Sequence, residues 1–331
     1  MNGAPQMPEP LLSVRGLRVA FGTPRHELVA VDGVDFDVRR GEVLGLAGES
    51  GSGKSLTLRA ILRLVKPPAR ISGQVLWRGR DVQRMTEPEV RGVRGGEIAI
   101  IFQEPMSALN PVLTVGAQIL ENLEEHTDLD AAARQARAIE LLDLVGIPAA
   151  GSRIDDYPHQ FSGGMRQRAM IAIALASNPK LLLADEPTTA LDVTIQDQIL
   201  KLILRLRRDL NMSMVLVTHD LGVIAQTCDR LAVMYAGRVV EAGPVADIFA
   251  QPRHAYTLGL LNSVPRGGAL RQPLSSIAGQ PPLLSDRLTG CAFAPRCPFV
   301  VPECGAGKPP LTSIAPMHDT ACLQHRKVGQ R

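Results

Sequence analysis

Eight residues, Gly48 Glu49 Ser50 Gly51 Ser52 Gly53 Lys54 Ser55, constrain this chain more than any other stretch. They fit the pattern Gly, four residues, Gly-Lys-Ser, and their flanks decide what that pattern can be. Val43 to Ala47 is short and apolar, as a buried strand is, and Leu56 to Val65 carries apolar residues at helical spacing. A strand therefore feeds a Gly-rich turn that opens a helix. The glycines let successive backbone N–H groups converge on phosphate oxygens, and the helix N-terminus adds its partial positive charge. Lys54 is then placed to reach β- and γ-phosphates, and the Ser55 hydroxyl to ligate Mg²⁺. A chance match in a Gly-rich loop would lack the strand and the helix.

The rest of the chain alternates strands and helices around this turn. Residues 11–40 alternate in the manner of antiparallel strands, with Val34, Phe36 and Val38 set between Asp32, Asp35 and Asp37. Phe21 lies on one such strand before a Gly-Thr-Pro turn; it could stack on an adenine ring, although a lone Phe in a strand is more often core. Lys66 Pro67 Pro68 ends the first helix, and residues 71–82 read as a hairpin. A short apolar strand, Ile98 to Gln103, precedes the loop Glu104 to Pro111. From Thr114 to Ile147 the pattern is helical, with Ala138, Ile139, Leu141, Leu142 and Val145 on one face. A second helix from Gly164 to Ser177 is stopped by Asn178 and Pro179. A buried strand, Leu181 to Glu186, is followed by a helix from Val193 to Leu210 and by strands at Met214 to Val217 and Leu231 to Tyr235.

Several side chains in this frame can carry chemistry. The strand at Leu181 delivers Asp185 and Glu186 at its C-terminal end, where ligands sit in open α/β sheets. Asp185 is the expected second anchor for Mg²⁺, and Glu186 the candidate general base for an attacking water. Acidic residues also follow strands into ordinary loops, and it is the preceding phosphate loop that favours the catalytic reading. His219, at another strand end, could contact a γ-phosphate; taken by itself it would more often be a surface or cap residue. Phe161 Ser162 Gly163 Gly164 Met165 forms a second Gly-rich turn opening a helix, so it too is an anion cradle. One chain has no evident second nucleotide for it, which suggests that it serves a nucleotide held by another subunit.

Gly48 to Ser55, Gln103, Phe161 to Met165, Leu181 to Glu186, Ala190 Leu191 Asp192 and His219, in this order, resemble the nucleotide-binding subunit of an ABC transporter over roughly Leu11 to Gly243. The resemblance implies an α/β P-loop ATPase with an antiparallel β subdomain, a mixed-sheet core and a helical subdomain at about 112–178. It implies ATP contacts at Phe21, Gly48, Ser50, Gly51, Gly53, Lys54, Ser55 and Leu56, and Mg²⁺ at Ser55, Gln103 and Asp185. Glu186, His219, Lys54 and Gln103 would be catalytic. Ser162, Gly163 and Gly164 would close over ATP bound to an opposite subunit, Asp192 would communicate across that dimer, and Gln103 would couple to membrane subunits. Met165 stands where the family usually has Gln. That variant, with the wording of Phe102 to Pro111 and of Met234 to Arg238 and with His254 Ala255 Tyr256 Thr257, resembles the ATPases of dipeptide and oligopeptide importers, although Ala255 replaces a Pro.

The importer resemblance implies partners: a second, homologous ATPase subunit in a heterodimer, two transmembrane permease subunits and, indirectly, an extracytoplasmic peptide-binding protein. The place is the cytoplasmic face of the membrane, peripherally. Composition agrees with a protein of this kind. The longest apolar run, Met170 to Ala176, is far too short to cross a bilayer. Residues 1–10 are Pro-rich and read as a flexible N-terminus rather than a secretory signal. A net charge of +3 and the lack of a basic block with interleaved aromatics give no case for nucleic acid.

From Gly243 the composition shifts to Pro, Gly and Cys, which marks residues 244–331 as a small C-terminal domain. In a cytosolic chain its cysteines are reduced thiols or metal ligands. Cys291, Cys297, Cys304 and Cys322 are the candidate ligands, with Pro295, Pro298 and Pro302 stiffening the loop between them. Close Cys-x-x-Cys knuckles, the usual zinc signature, are missing, and four thiolates suit a [4Fe–4S] cluster equally well. The importer resemblance implies such a cluster here; zinc and an unmetallated site remain alternatives. Cys228 reads as a buried thiol. Three other functions stay open: an importer ATPase for nickel or another small solute, a soluble non-transport ABC ATPase, and a redox-sensing regulator. The short span from Gln103 to Ser162 leaves no room for the long coiled coil of the soluble kind.

Overall fold

The computed structural model describes residues 9–23, 26–189, 191–263, 276–286 and 288–330. Most of the N-terminal stretch expected to be flexible, Pro24 of the Gly-Thr-Pro turn and Ala190 of Ala-Leu-Asp lie outside the described residues. The chain forms two compact units, Met1–Gln83 with Thr218–Arg331, and Arg84–Val217.

The chain starts in the first unit with β1 (Leu12–Thr23) and β2 (His26–Val38), a long antiparallel pair. Their alternation sends Leu12, Val14, Leu17 and Val19 inward opposite Val38, Phe36, Val34 and Val31, all buried. β3 (Val43–Ala47) is buried at every position, as a continuous apolar run requires, and leads into α1 (Lys54–Ile61). α1 packs on β1 and β2. β4 (Arg70–Trp77) pairs antiparallel with β1, and β5 (Arg80–Asp81) with β4, giving a four-stranded antiparallel sheet ordered β2-β1-β4-β5.

In the second unit come α2 (Glu87–Val93), β6 (Ile98–Ile101), α3 (Pro105–Ala108), α4 (Val115–His126), α5 (Ala131–Leu144), α6 (Ala150–Arg153) and α7 (Gly163–Leu175). β7 (Leu181–Asp185), α8 (Val193–Asp209) and β8 (Ser213–Val217) complete it. β6, β7 and β8 are parallel, with Ile98 to Ile101 against Leu181 to Ala184, and Leu181 to Asp185 against Ser213 to Val217. α7 packs on β6 and on α3, α4, α5 and α8. The long helical run expected from Thr114 is two helices. Thr127 caps the end of α4, and the Asp130 side chain accepts the Ala133 N–H to start α5.

The chain returns to the first unit through α9 (Leu221–Thr227), β9 (Arg230–Tyr235), β10 (Arg238–Pro244), α10 (Val245–Ala250) and α11 (Ala255–Ser263). β11 (Thr312–Ala315), β12 (His318–Thr320) and α12 (His325–Val328) end it. β3 and β9 are parallel, whereas β9–β10, β10–β12 and β12–β11 are antiparallel, so this sheet is mixed. The C-terminal segment shares its core with this sheet: Tyr256, Phe293 and Val328 are buried in one cluster with Leu231, Val233, Tyr235 and Val240.

Candidate functional site

The phosphate loop is shaped by what its glycines approach. Gly48 has φ 152°, and a Cβ there would meet the Met234 carbonyl oxygen at 2.2 Å and Ser52 Oγ at 2.8 Å. Gly53, the N-cap of α1 at φ 100°, would place a Cβ 2.8 Å from the Ala30 carbonyl oxygen. The loop is thereby seated against β2 and β9 and leads directly into the first turn of α1. Lys54 is 5% exposed, and its Nζ donates to the carbonyls of Gly48 at 2.8 Å and Glu49 at 2.9 Å. Ser52 is buried, Ser55 and Leu56 are half-buried, and Ser50 and Gly51 are exposed on the loop. A buried ammonium beside a cradle that only glycines can form fits an anionic phosphate group.

The second unit holds the carboxylates. Asp185 ends β7 fully buried. Glu186 follows at φ 45°, its N–H donating to the Val217 carbonyl at 3.0 Å. Its Oε2 accepts from Gln103 Nε2 at 3.1 Å and from Thr189 Oγ1 at 2.8 Å. These two donors aim the carboxylate. Gln167 of α7, buried, donates from Nε2 to the Pro187 carbonyl at 2.6 Å and pins the turn after Glu186.

Ser162 is the N-cap of α7 and accepts the Met165 N–H at 3.3 Å. Gly163 is exposed, and a Cβ on Gly164 would sit 3.1 Å from Ile195. Met165 is half-buried. Asp192 caps α8, its Oδ1 accepting the Ile195 N–H at 3.0 Å. His219 is exposed after Thr218, and Phe21 is half-buried on β1 opposite Leu28.

Contacts that the sequence did not reveal bear on the loop. The Glu49 N–H donates to Tyr256 Oη at 2.7 Å, and the Glu49 carboxylate takes both Nη1 and Nη2 of Arg296 at 2.8 and 3.0 Å. The carboxylate pair holds the Arg296 guanidinium well above its already high ordinary range. Nothing local in the sequence marks these contacts, which join residues more than 200 positions apart.

Cys291, Cys297, Cys304 and Cys322 all line one small cavity, walled also by Phe293, Phe299 and Ala255. Backbone N–H groups donate to three of the sulfurs: Phe293 and Ala294 to Cys291, Phe299 to Cys297 at 3.4 Å, Ala255 and Gln324 to Cys322. Burial raises the thiols of Cys291 and Cys297 and pushes Cys322 up to about 11, partly countered by those hydrogen bonds. Among the described residues no group of three or more His, Cys, Asp or Glu side chains is arranged to hold a metal ion. Four thiols on one cavity match a four-thiolate group in donor type only. Cys228 lies apart, against Gly45, its thiol pushed up to about 12 by burial.

Residues 31–189 match the ABC transporter family model, and residues 240–304 match the oligopeptide/dipeptide transporter C-terminal region. A putative peptide import ATP-binding protein of Brucella melitensis is 48% identical over 97% of this chain and 99% of that protein. The oligopeptide transport ATP-binding protein OppD of Salmonella typhimurium is 46% identical over 97% of this chain and 96% of that protein. Among solved structures, a dimeric ATP-binding cassette in its post-hydrolysis state, bound to ADP and Pi, has a TM-score of 0.63 at 28% identity, covering 71% of this chain and 98% of that one. Fold and site thus define an ABC-type ATPase. The chain belongs to the ABC transporter ATP-binding family, in the group that carries the oligopeptide/dipeptide transporter C-terminal region.

Proposed function

We propose that ATP hydrolysis by this chain energises the import of dipeptides or oligopeptides through a membrane ABC transporter. The match of residues 240–304 to the oligopeptide/dipeptide C-terminal region carries the reading. In this proposal residues 11–243 are the ATPase domain, with a helical subdomain at about 112–178, and residues 244–331 are the C-terminal domain. Gly48, Ser50, Gly51, Gly53, Lys54, Ser55 and Leu56 cradle the triphosphate, and Phe21 stacks on adenine. Ser55, Gln103 and Asp185 hold Mg²⁺, which when bound offsets phosphate charge. Glu186, aimed by Gln103 and Thr189, polarises the attacking water, and His219 holds the γ-phosphate.

Ser162, Gly163 and Gly164 close over ATP held by an opposite subunit, and Asp192 acts across the same dimer. Met165, without the polar reach of Gln, favours an unequal pair with a second, homologous ATPase. Two permease subunits and an extracytoplasmic peptide-binding protein complete the assembly, with this chain peripheral on the cytoplasmic face. No helix among the described residues is long and apolar enough to cross a membrane. Cys291, Cys297, Cys304 and Cys322 hold a [4Fe–4S] cluster, supported by their shared cavity and N–H donors. Anaerobically purified protein should contain iron and acid-labile sulfide, and stoichiometric zinc without sulfide would replace the cluster by a zinc site.

Uptake of labelled di- and oligopeptides by cells lacking the gene tests the function. Complementation with the intact protein should restore uptake, and Lys54→Ala should not. Unchanged uptake on deletion, with redundant importers removed, would move the cargo to nickel or another small solute.

A further inference from the structure

Every polar group of Glu49, the second residue of the phosphate loop, is held from within the first unit. Its N–H donates to Tyr256 Oη, its carbonyl accepts from Lys54 Nζ, and its carboxylate is gripped by both Nη groups of Arg296. Arg296 is built for this place. Its side chain is 5% exposed, its Nε donates to the Ala278 carbonyl at 2.9 Å, and Nη1 reaches Tyr235 Oη at 3.3 Å. The guanidinium also lies 5.8 Å from the ring centroids of Tyr235 and Phe293. Exposed ion pairs contribute little, but a two-pronged pair on a planar group fixed by other partners sets a geometry. Arg296 belongs to the turn between Cys291 and Cys297, so its side chain ties the cysteine-bearing segment to the loop.

We propose that Arg296 and Tyr256 are positioning residues for nucleotide binding, and that through them the turn between Cys291 and Cys297 is coupled to the phosphate loop. They act on Glu49, whose carbonyl in turn holds the ammonium of Lys54, so the loop is kept in the form that receives phosphate. Arg296 has a second effect through charge. Its removal leaves the Glu49 carboxylate uncompensated beside the place where a triphosphate binds, and like charges there weaken binding. Coupling is reciprocal: if the turn sets nucleotide affinity, bound nucleotide must stabilise the turn. The inference rests on nucleotide binding at Gly48 to Ser55.

Equilibrium binding of a fluorescent ATP analogue with Mg²⁺ to the full chain tests it. Arg296→Gln should raise Kd about tenfold, the scale of a lost hydrogen bond to a charged group. Glu49→Gln in the same chain should recover part of that loss, because it removes the exposed charge. In hydrogen exchange, nucleotide should slow the backbone amides of residues 292–299 in the unaltered chain and not in Glu49→Gln, a variant that leaves the other partners of Arg296 in place. A merely structural role for Arg296 would lower the melting midpoint without recovery by the second substitution. Nucleotide binding that is indifferent to Arg296→Gln within twofold, with no nucleotide effect on those amides, overturns the coupling alone. Failure of the unaltered chain to bind nucleotide overturns the nucleotide site and the coupling with it.

Discussion

His254 is held neutral by its surroundings. The side chain is 2% exposed, and its Nδ1 accepts the Tyr256 N–H at 3.1 Å, which a protonated ring could not do. Burial pushes its pKa down to about 4, and the nearby Glu241 carboxylate opposes this only in part. Glu241 is fully buried and already engaged: it accepts the N–H groups of Arg253 and His254 and pairs with His318 Nε2 at 2.8 Å. Because the unfolded chain protonates His254 near pH 6.5 and the folded chain does so only near 4, the unfolded state binds more protons between these values. Stability from this residue is therefore complete above pH 6.5 and falls as the pH drops toward 4, by up to about 3 kcal/mol. Thermal melts of the unaltered chain should lose stability over that interval. His254→Asn, which keeps an acceptor without titrating, should show a shallower fall; equal slopes would assign the acid sensitivity to other groups.

Single elements differ in how far the sequence exposes them. The strand, phosphate turn and helix at residues 43–61 were legible because strand, turn and helix are contiguous, and each residue type answers a local need. α8 ends where Asn211 takes φ 51° and the Met212 N–H reaches the Arg207 carbonyl at 2.9 Å, a stop that Asn advertises. α1 stops the same way at Arg63, with φ 53° and the Leu64 N–H on the Arg59 carbonyl at 2.8 Å. Arginine carries no such signal, and the apolar spacing through Val65 concealed the end. Glu186 was legible as a carboxylate after a strand; Thr189 meets it within the same turn, but Gln103 and Gln167, which reach it and its turn from other elements, follow from tertiary packing. Asp192 shows one residue meeting two demands: it caps α8, which the sequence permits, and its proposed role across a dimer is additional to that. The grip on Glu49 lay furthest from view, since Tyr256 and Arg296 sit in stretches that composition had set apart as a separate region.

At the scale of the whole chain, the boundary at Gly243 is one of composition and not of core. Tyr235, from β9, meets the rings of Tyr256 at 4.6 Å and Phe293 at 5.4 Å between centroids, and all three side chains are almost wholly buried. β10 is paired on its far side by β12, with Glu241 opposite Thr320, and the Ala321 N–H donates to the Val240 carbonyl at 2.8 Å. Ending the chain after Gly243 would uncover Tyr235, Val233 and Val240, leave a β10 edge unpaired and strip Glu49 of both Tyr256 and Arg296. Each large apolar side chain so exposed costs about 1.5–3 kcal/mol, and several together approach the roughly 5–15 kcal/mol that holds a folded domain. A chain truncated after Gly243 should therefore aggregate, or melt well below the full-length protein and bind nucleotide weakly. Melting curves and nucleotide titration of the two chains side by side decide it. A soluble truncated chain with an unchanged midpoint and unchanged Kd would make the C-terminal segment a detachable appendage and the shared core energetically idle.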